Sequence, residues 1–345
     1  MRYVSYESSS DEPNIIVDGS GNTGTILTLS HWPHSGTPQE FKADSSAEIA
    51  LNFLRSPRRA EFESRAQVVS NNHFDEDGLM SVWAMTHPEQ AIELQEQVVG
   101  VATAGDFSRV LMPEYAQIVY AINALAAKTD GDKYQALLPK VESLLRNPEK
   151  HESLWREDWQ RLESDFALIA SGEANITEHA NIDLAIVESP RPIDQMAICS
   201  RTNCLRVLTI FGEGFYKLQY CYESWVQVVS RIVRPRIDLY ALAESLQRVE
   251  QVHGTWKHGD TADIMPSLEF VDFEGTPTPS GIPRAQLISE VVSFFEREQD
   301  NPALQWSPYD STEGSGCGIV YEQSQPAQPA TGLHQLGGLS KRNED

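Results

Sequence analysis

Nine consecutive residues, His73-Phe74-Asp75-Glu76-Asp77-Gly78-Leu79-Met80-Ser81, set an imidazole and two alternating carboxylates ahead of a glycine and a serine. In an extended strand tip, side chains two apart project to one side, so His73, Asp75 and Asp77 are expected to converge. Converging carboxylates repel one another unless a cation neutralises them. A mixed imidazole and carboxylate set suits manganese, iron or zinc. A helix opening after Gly78 would aim its free N–H groups at the same point, where a phosphate could sit. The competing reading is a solvated acidic turn, because Asp-Gly is a common turn dipeptide and the chain carries 50 acidic residues. An EF-hand calcium loop does not fit: Leu79 stands where an oxygen ligand belongs, and the glycine comes too early.

The surrounding pattern supplies elements to position these groups. A strand ending at Ser70 leads into the motif. Residues 79–97 have helical spacing, kinked or divided at His87-Pro88. Val98 to Thr103 reads as a second strand, which makes a βαβ crossover and puts Asp106 at the same C-terminal sheet edge as Asp75 and Asp77. The alternative for Asp106 is the N-cap of a helix over residues 107–112. Upstream, Asn14 to Asp18 reads as a strand, followed by Gly19-Ser20-Gly21-Asn22-Thr23-Gly24. That is a formal GxGxxG, but Thr25 to Leu29 is β-branched and strand-like, so a hairpin or loop is expected there rather than a dinucleotide turn. Ser30-His31-Trp32-Pro33-His34 forms a second imidazole-rich strand end.

Beyond the motif, residues 115–128, 134–146 and 152–170 have amphipathic helical spacing, the last carrying Trp155 and Trp159 as packing residues. A domain boundary is expected at 188/189, before Pro190-Arg191-Pro192. After it come strands over 206–210 and 215–222 and helices over 239–249 and 287–297. Arg234, Arg236, Lys257 and His258 would form an anion clamp if the fold gathers them, and are ordinary surface charges if it does not. Residues 301–345, rich in Gln, Pro, Gly and Ser, read as a disordered tail.

Bulk properties narrow the function further. The 345 residues hold 27 basic and 50 acidic side chains, a formal charge of −23. That balance argues against broad binding to nucleic acid and against long duplex DNA as a partner. No run of about 18 apolar residues appears, so no membrane span is expected, and the N-terminus lacks the apolar core of a signal peptide. The four cysteines, Cys199, Cys204, Cys221 and Cys317, form no CxxC pair and read as free thiols. A cytoplasmic location follows as the expectation. Walker loop, nucleophile elbow and HExxH motifs are absent, and oligomeric state does not follow from the sequence.

Around residues 73–81 the chain resembles the first motif of the DHH phosphoesterase superfamily, which includes RecJ-type exonucleases, oligonucleotide and cyclic-dinucleotide phosphodiesterases and manganese pyrophosphatases. Asp75, Asp77, Gly78 and Ser81 match the acidic D-x-D-G pattern and the small residue one turn into the helix, and Asp106 matches the aspartate after the next strand. The triplet that names the group does not follow Asp106; its nearest analogue, residues 29–34, precedes the motif and lacks the aspartate. A rearranged order would bring His31 or His34, and Asp18, into the metal cluster.

The resemblance implies an α/β fold: a parallel-sheet metal domain over 1–188 and a smaller α+β domain over 189–300 that holds the substrate's phosphates. The expectation is a hydrolase with His31, His73, Asp75, Asp77 and Asp106 around a divalent metal, manganese first. Ser81 would help position the phosphate of a small nucleotide, short oligonucleotide or other ester or anhydride, and Arg234, Arg236 and Lys257 would neutralise it. Competing readings are a metal-dependent enzyme of non-phosphoester chemistry in a biosynthetic pathway and a non-catalytic binding protein on a degenerate phosphoesterase scaffold.

Overall fold

Short aliphatic runs build the first sheet. In the computed structural model, which describes residues 1–309, Asn14–Val17 (β2), Thr25–Leu29 (β3) and Val68–Ser70 (β4) lie side by side, with Arg2–Tyr3 (β1) at one edge. The order is β1-β4-β2-β3 and every pairing is parallel. Strands β2 and β4 are buried at every residue, as expected when helices cover both faces of a parallel sheet. The helices Ser46–Arg55, Glu76–Thr86, Gln95–Asp106 and Pro113–Ala126 share one core with it.

Of the hairpin or loop expected over residues 18–24, the structure has the loop: β2 and β3 are parallel neighbours, so the segment runs back along the sheet and opens no helix. Asn14 pins that return, its Nδ2 donating to the Ser9 carbonyl at 2.7 Å and to Asn22 Oδ1 at 2.9 Å. Gly24 fits because a Cβ there would stand 2.4 Å from the Glu12 carbonyl oxygen. Residues 98–103, expected as a strand, lie inside the helix Gln95–Asp106. Val98, Gly100, Val101, Ala102 and Ala104 are all buried, and a segment covered on several sides loses the periodicity that separates helix from strand. The glycine admits Tyr115, whose ring carbon would be 2.3 Å from a Cβ at position 100. The helix break at His87-Pro88 is as expected: one helix ends at Thr86 and the next begins at Pro88.

A second sheet has the order β10-β11-β8-β7-β6-β5. Its strands are Asn175–His179 (β5), Leu184–Ser189 (β6), Arg206–Phe211 (β7), Phe215–Tyr220 (β8), Thr255–His258 (β10) and Ser267–Val271 (β11). All pairings are antiparallel except β6 with β7. The boundary expected at 188/189 would sever β6 from β7, so the second sheet starts on the earlier side of it, after the helix Glu152–Ser171. Helices Tyr240–Val249 and Arg284–Glu298 pack into its core.

Of the expected tail, Gln305–Trp306 (β12) pairs with Arg236–Ile237 (β9), and residues 310–345 lie outside the described residues. The described residues belong to one compact unit, a mixed α/β fold containing a parallel sheet. Among them no helix is long and apolar enough to cross a membrane.

Candidate metal centre

The C-terminal ends of β2 and β3 deliver Asp18 and His31 to one sheet edge, where ligands of open α/β sheets gather. Asp75 and Asp77 come from the start of the helix Glu76–Thr86, and Asp106 from the last residue of the helix Gln95–Asp106 rather than from a strand end. His31 Nε2 stands 3.6 Å from Asp18 Oδ1, 3.7 Å from Asp77 Oδ2 and 3.4 Å from Asp106 Oδ2. His73 Nε2 stands 3.3 Å from Asp18 Oδ2 and 2.7 Å from Asp75 Oδ2. Two trios therefore share one residue: Asp18 with His31 and Asp77, and Asp18 with His73 and Asp75, the ligand atoms of each lying within 4.8 Å of one another.

The trios differ in openness. His31 and Asp77 side chains are fully buried and Asp18 is 1% exposed, whereas His73 and Asp75 keep 21% and 28% of their side-chain surface. The inner trio is closed by aromatic rings from both sheets' connections. Phe107 and Tyr222 lie 6.1 and 5.9 Å from the His31 ring, and Trp32 lies 4.8 Å from His73, with Trp225 edge-on behind it.

Each carboxylate is aimed by the local backbone. Asp77 accepts the Ser46 and Ala47 N–H groups, both at 2.7 Å, so the free N-terminal amides of the helix Ser46–Arg55 hold it. Asp18 accepts from Ser46 Oγ at 2.8 Å and sits at φ 46°, a left-handed conformation that is strained for a residue with a Cβ. Asp75 is the N-cap of its own helix, taking the Gly78 N–H at 2.7 Å on one oxygen and His73 on the other. This amends the expected phosphate seat. The helix begins at Glu76, not after Gly78, and Asp75 already occupies its first turn.

His31 is fixed from behind. Its Nδ1 lies 2.6 Å from the Asp44 carbonyl, which assigns the proton to Nδ1 and leaves the Nε2 lone pair facing the carboxylates. The Asp44 carboxylate in turn accepts the Val229 N–H at 2.8 Å, the Ser230 N–H at 2.9 Å and the Ser230 hydroxyl. The His31 carbonyl accepts the Gln227 N–H at 2.8 Å.

The electrostatics reflect crowding of like charge. Burial, then Asp75 and Asp77, pushes Asp18 up to about 6. Burial and Asp75 push Asp77 up to about 7. Burial, followed by the neighbouring aspartates, holds Asp106 well above the usual carboxylate range. Desolvation would raise Asp75 too, but the His73 charge and hydrogen bond outweigh it and leave Asp75 at about 2. Burial depresses His31, whereas for His73 the desolvation penalty is overcome by Asp75 and Asp18, which raise it well above its ordinary value.

The donor set fits a small divalent cation. Two ligand atoms about 2.1 Å from a common ion at a tetrahedral angle stand about 3.4 Å apart, close to the spacings around His31 Nε2, which are too long for hydrogen bonds. Asp106 Oδ2 is buried and has no hydrogen-bond partner, an orphaned acceptor on that same imidazole. The outer trio has instead the geometry of a His73–Asp75 ion pair.

Of the residues read from sequence, His31, His73, Asp75, Asp77 and Asp106 meet here. Ser81 is buried one turn beyond Asp77, its hydroxyl without a hydrogen-bond partner. His34 is exposed and outside both trios. The expected anion clamp does not assemble. Arg236 is fully buried and donates to Ser224 Oγ and to the carbonyls of Thr261, Asp263 and Ile264. Arg234 bonds the Asn181 carbonyl and Gln299, and Lys257 lies on β10, paired in register with Glu269.

The sequence reading underweights Asp18, although an aspartate closing an Ile-Ile-Val strand marks a sheet edge. It misses Ser46, Asp44 and Tyr222, whose roles come from distant packing.

The family model that matches this chain spans residues 1–306, both sheets and the whole acidic cluster, and the chain belongs to that family, a family of unknown function (DUF6687). No curated protein and no solved structure matches it.

Proposed function

We propose that this chain is a metal-dependent hydrolase of phosphate esters or anhydrides, with manganese as its ion and a small nucleotide, short oligonucleotide or similar phosphorylated molecule as its substrate. The observation that carries the reading is Asp18, one carboxylate common to two ligand trios, which would let two cations sit side by side as in two-metal hydrolytic centres. Asp18, His31, Asp77 and Asp106 would hold the inner ion; an outer ion on Asp18, His73 and Asp75 would have to take the place of the proton shared in the His73–Asp75 ion pair. Bound divalent cations supply a water of lowered pKa and neutralise charge on the attacked phosphoryl group.

The chain's own residues set the conditions for that chemistry. Asp44 fixes the His31 tautomer, and the amides of Ser46 and Ala47 orient Asp77. Phe107 and Tyr222 cover the His31 side, so substrate approaches past Asp75 and the edge of His73, the more exposed members. The similarity of residues 73–81 to the DHH motif supports the same reading, with His31 supplying from upstream an imidazole that the absent triplet would have supplied from downstream. The acidic surface favours small substrates over long duplexes.

The test is elemental analysis of purified protein followed by a manganese-supplemented screen of phosphodiesters, pyrophosphate and non-phosphate esters. Stoichiometric metal and turnover of a phosphorylated substrate are expected. Protein that holds no stoichiometric metal and gains no thermal stability from manganese overturns the proposal, and turnover of non-phosphate esters alone redirects it to other chemistry.

A further inference from the structure

We propose that the cleft between residues 109–111 and residues 199–203 binds a small oxyanion, phosphate or carboxylate, through the guanidinium groups of Arg109 and Arg201. The cleft holds about 410 Å3, and Arg109, Ser200, Arg201, Asn203 and Glu178 stand in its wall. Residues 109–111 come soon after the helix Gln95–Asp106, residues 200–203 follow the helix Gln195–Cys199, and Glu178 belongs to β5. Three stretches distant in sequence therefore meet there, and two of them bring arginine to one place in a chain whose formal charge is −23.

Positive charge is in excess at this cleft. Arg109 Nη2 and Arg231 Nη2 both donate to Glu223 Oε2, the first at 3.0 Å, so one carboxylate serves two guanidinium groups. Asn203 braces the same pair. Its Oδ1 accepts from Arg109 Nη1 and its carbonyl from Arg231 Nη1, each at 2.8 Å. These bonds hold the Arg109 fork in one orientation, and its Nε is a donor with no hydrogen-bond partner. A pre-set guanidinium is the group that recognises a carboxylate or phosphate edge. Arg201 supplies the second cation. It is exposed, its Cζ lies 5.5 Å from the centroid of the Phe166 ring, and among the described residues no carboxylate pairs with it.

Neutral donors stand beside the cations. Ser200 Oγ accepts the Val110 N–H at 2.9 Å, which leaves its hydroxyl hydrogen to donate. Asn203, its Oδ1 taken by Arg109, keeps its Nδ2 group as a donor. The carboxylate in the wall, Glu178, accepts from Thr202 Oγ1 at 2.5 Å. Arg109, Arg201 and Arg231 against Glu223 and Glu178 leave one positive charge for an incoming anion. The segments that bring Asp106 and Tyr222 to the metal centre run on to Arg109 and Glu223. Anion binding at the cleft does not depend on the metal reading.

Calorimetric titration of the full chain, as purified and again after chelator treatment, tests this with inorganic phosphate, acetate and chloride at matched ionic strength. Phosphate or acetate should saturate with a dissociation constant of about 1 mM, equally before and after chelation, and chloride should not. Saturation by phosphate alone marks a phosphate site, and by acetate alone a carboxylate site. Arg201→Gln, a change at an exposed side chain, should weaken binding about tenfold. Glu178→Gln should tighten it by removing a like charge, and Lys257→Gln, on β10, should leave it unchanged. In nitrogen-15 spectra the Nε–H resonances of Arg109 and Arg201 should move with saturation. No saturable binding, binding lost on chelation, or binding indifferent to Arg201→Gln overturns the proposal.

Discussion

Each half of the unit buries charge, and the two halves treat it in opposite ways. Around the second sheet, Arg236 is wrapped by three carbonyls and a hydroxyl and sandwiched between the Tyr220 and Trp306 rings. Burial lowers its pKa only to about 10, so it stays cationic at neutral pH and donates four hydrogen bonds. Around the first sheet, Asp18, Asp75, Asp77 and Asp106 converge with two imidazoles and no arginine or lysine among the described partners. A charge kept for structure brings its own partners into the fold. The carboxylates at the first sheet's edge are held in place by amides, a hydroxyl and the His73 ring, and Asp106 Oδ2 is left without a hydrogen-bond partner, the imbalance on which the proposed metal site rests.

The sharpest way to break this contrast is Asp18→Asn. Because both trios depend on that carboxylate, stoichiometric metal should vanish from elemental analysis and hydrolysis should fall to background, with circular dichroism unchanged. Retention of one metal equivalent would mean that the trios act separately.

Arg236→Met should do the reverse. Leaving its carbonyl partners unpaired should cost about 3 kcal/mol in urea unfolding, with metal content per folded molecule unchanged. Metal loss without destabilisation would collapse the distinction between the two halves.

The smallest effect is on pH. Asp18 and Asp77 sit at about 6 and about 7 in the folded chain, against about 4 when unfolded. Between those values the folded state binds more protons than the unfolded state, so stability falls as pH rises from about 4 to 7. Chelator-treated protein should therefore melt several degrees higher at pH 5 than at pH 7.5, and manganese should reverse the order. A flat or rising profile in the chelated protein would show that the carboxylates titrate normally.

The parts of this molecule legible in its sequence are those whose signal is local. The strand before Asn71, the helices over residues 113–126, 133–146 and 152–171, and the break at His87-Pro88 follow from periodicity and proline chemistry. The helix Gln95–Asp106 reads as a strand because burial on several sides erases its polar face. Asp106 nonetheless arrives at the cluster, carried there by a different element from the one expected. The misjudged cations have a common cause. Arg234 and Arg236 are near neighbours in the chain and Lys257 follows in the same half, but whether a guanidinium faces solvent or a nest of carbonyls depends on loops such as 261–264, about which its own neighbours say nothing.

Asp44 ties the two halves together through a single residue. Its carbonyl sets the tilt of His31 while its carboxylate clasps the amides of Val229 and Ser230, so backbone breathing in one place is mechanically transmitted to the other. Deuterium uptake at those two amides and ring dynamics of His31 should rise and fall in step, making a surface loop of the second half a remote gauge of how rigidly the imidazole is seated.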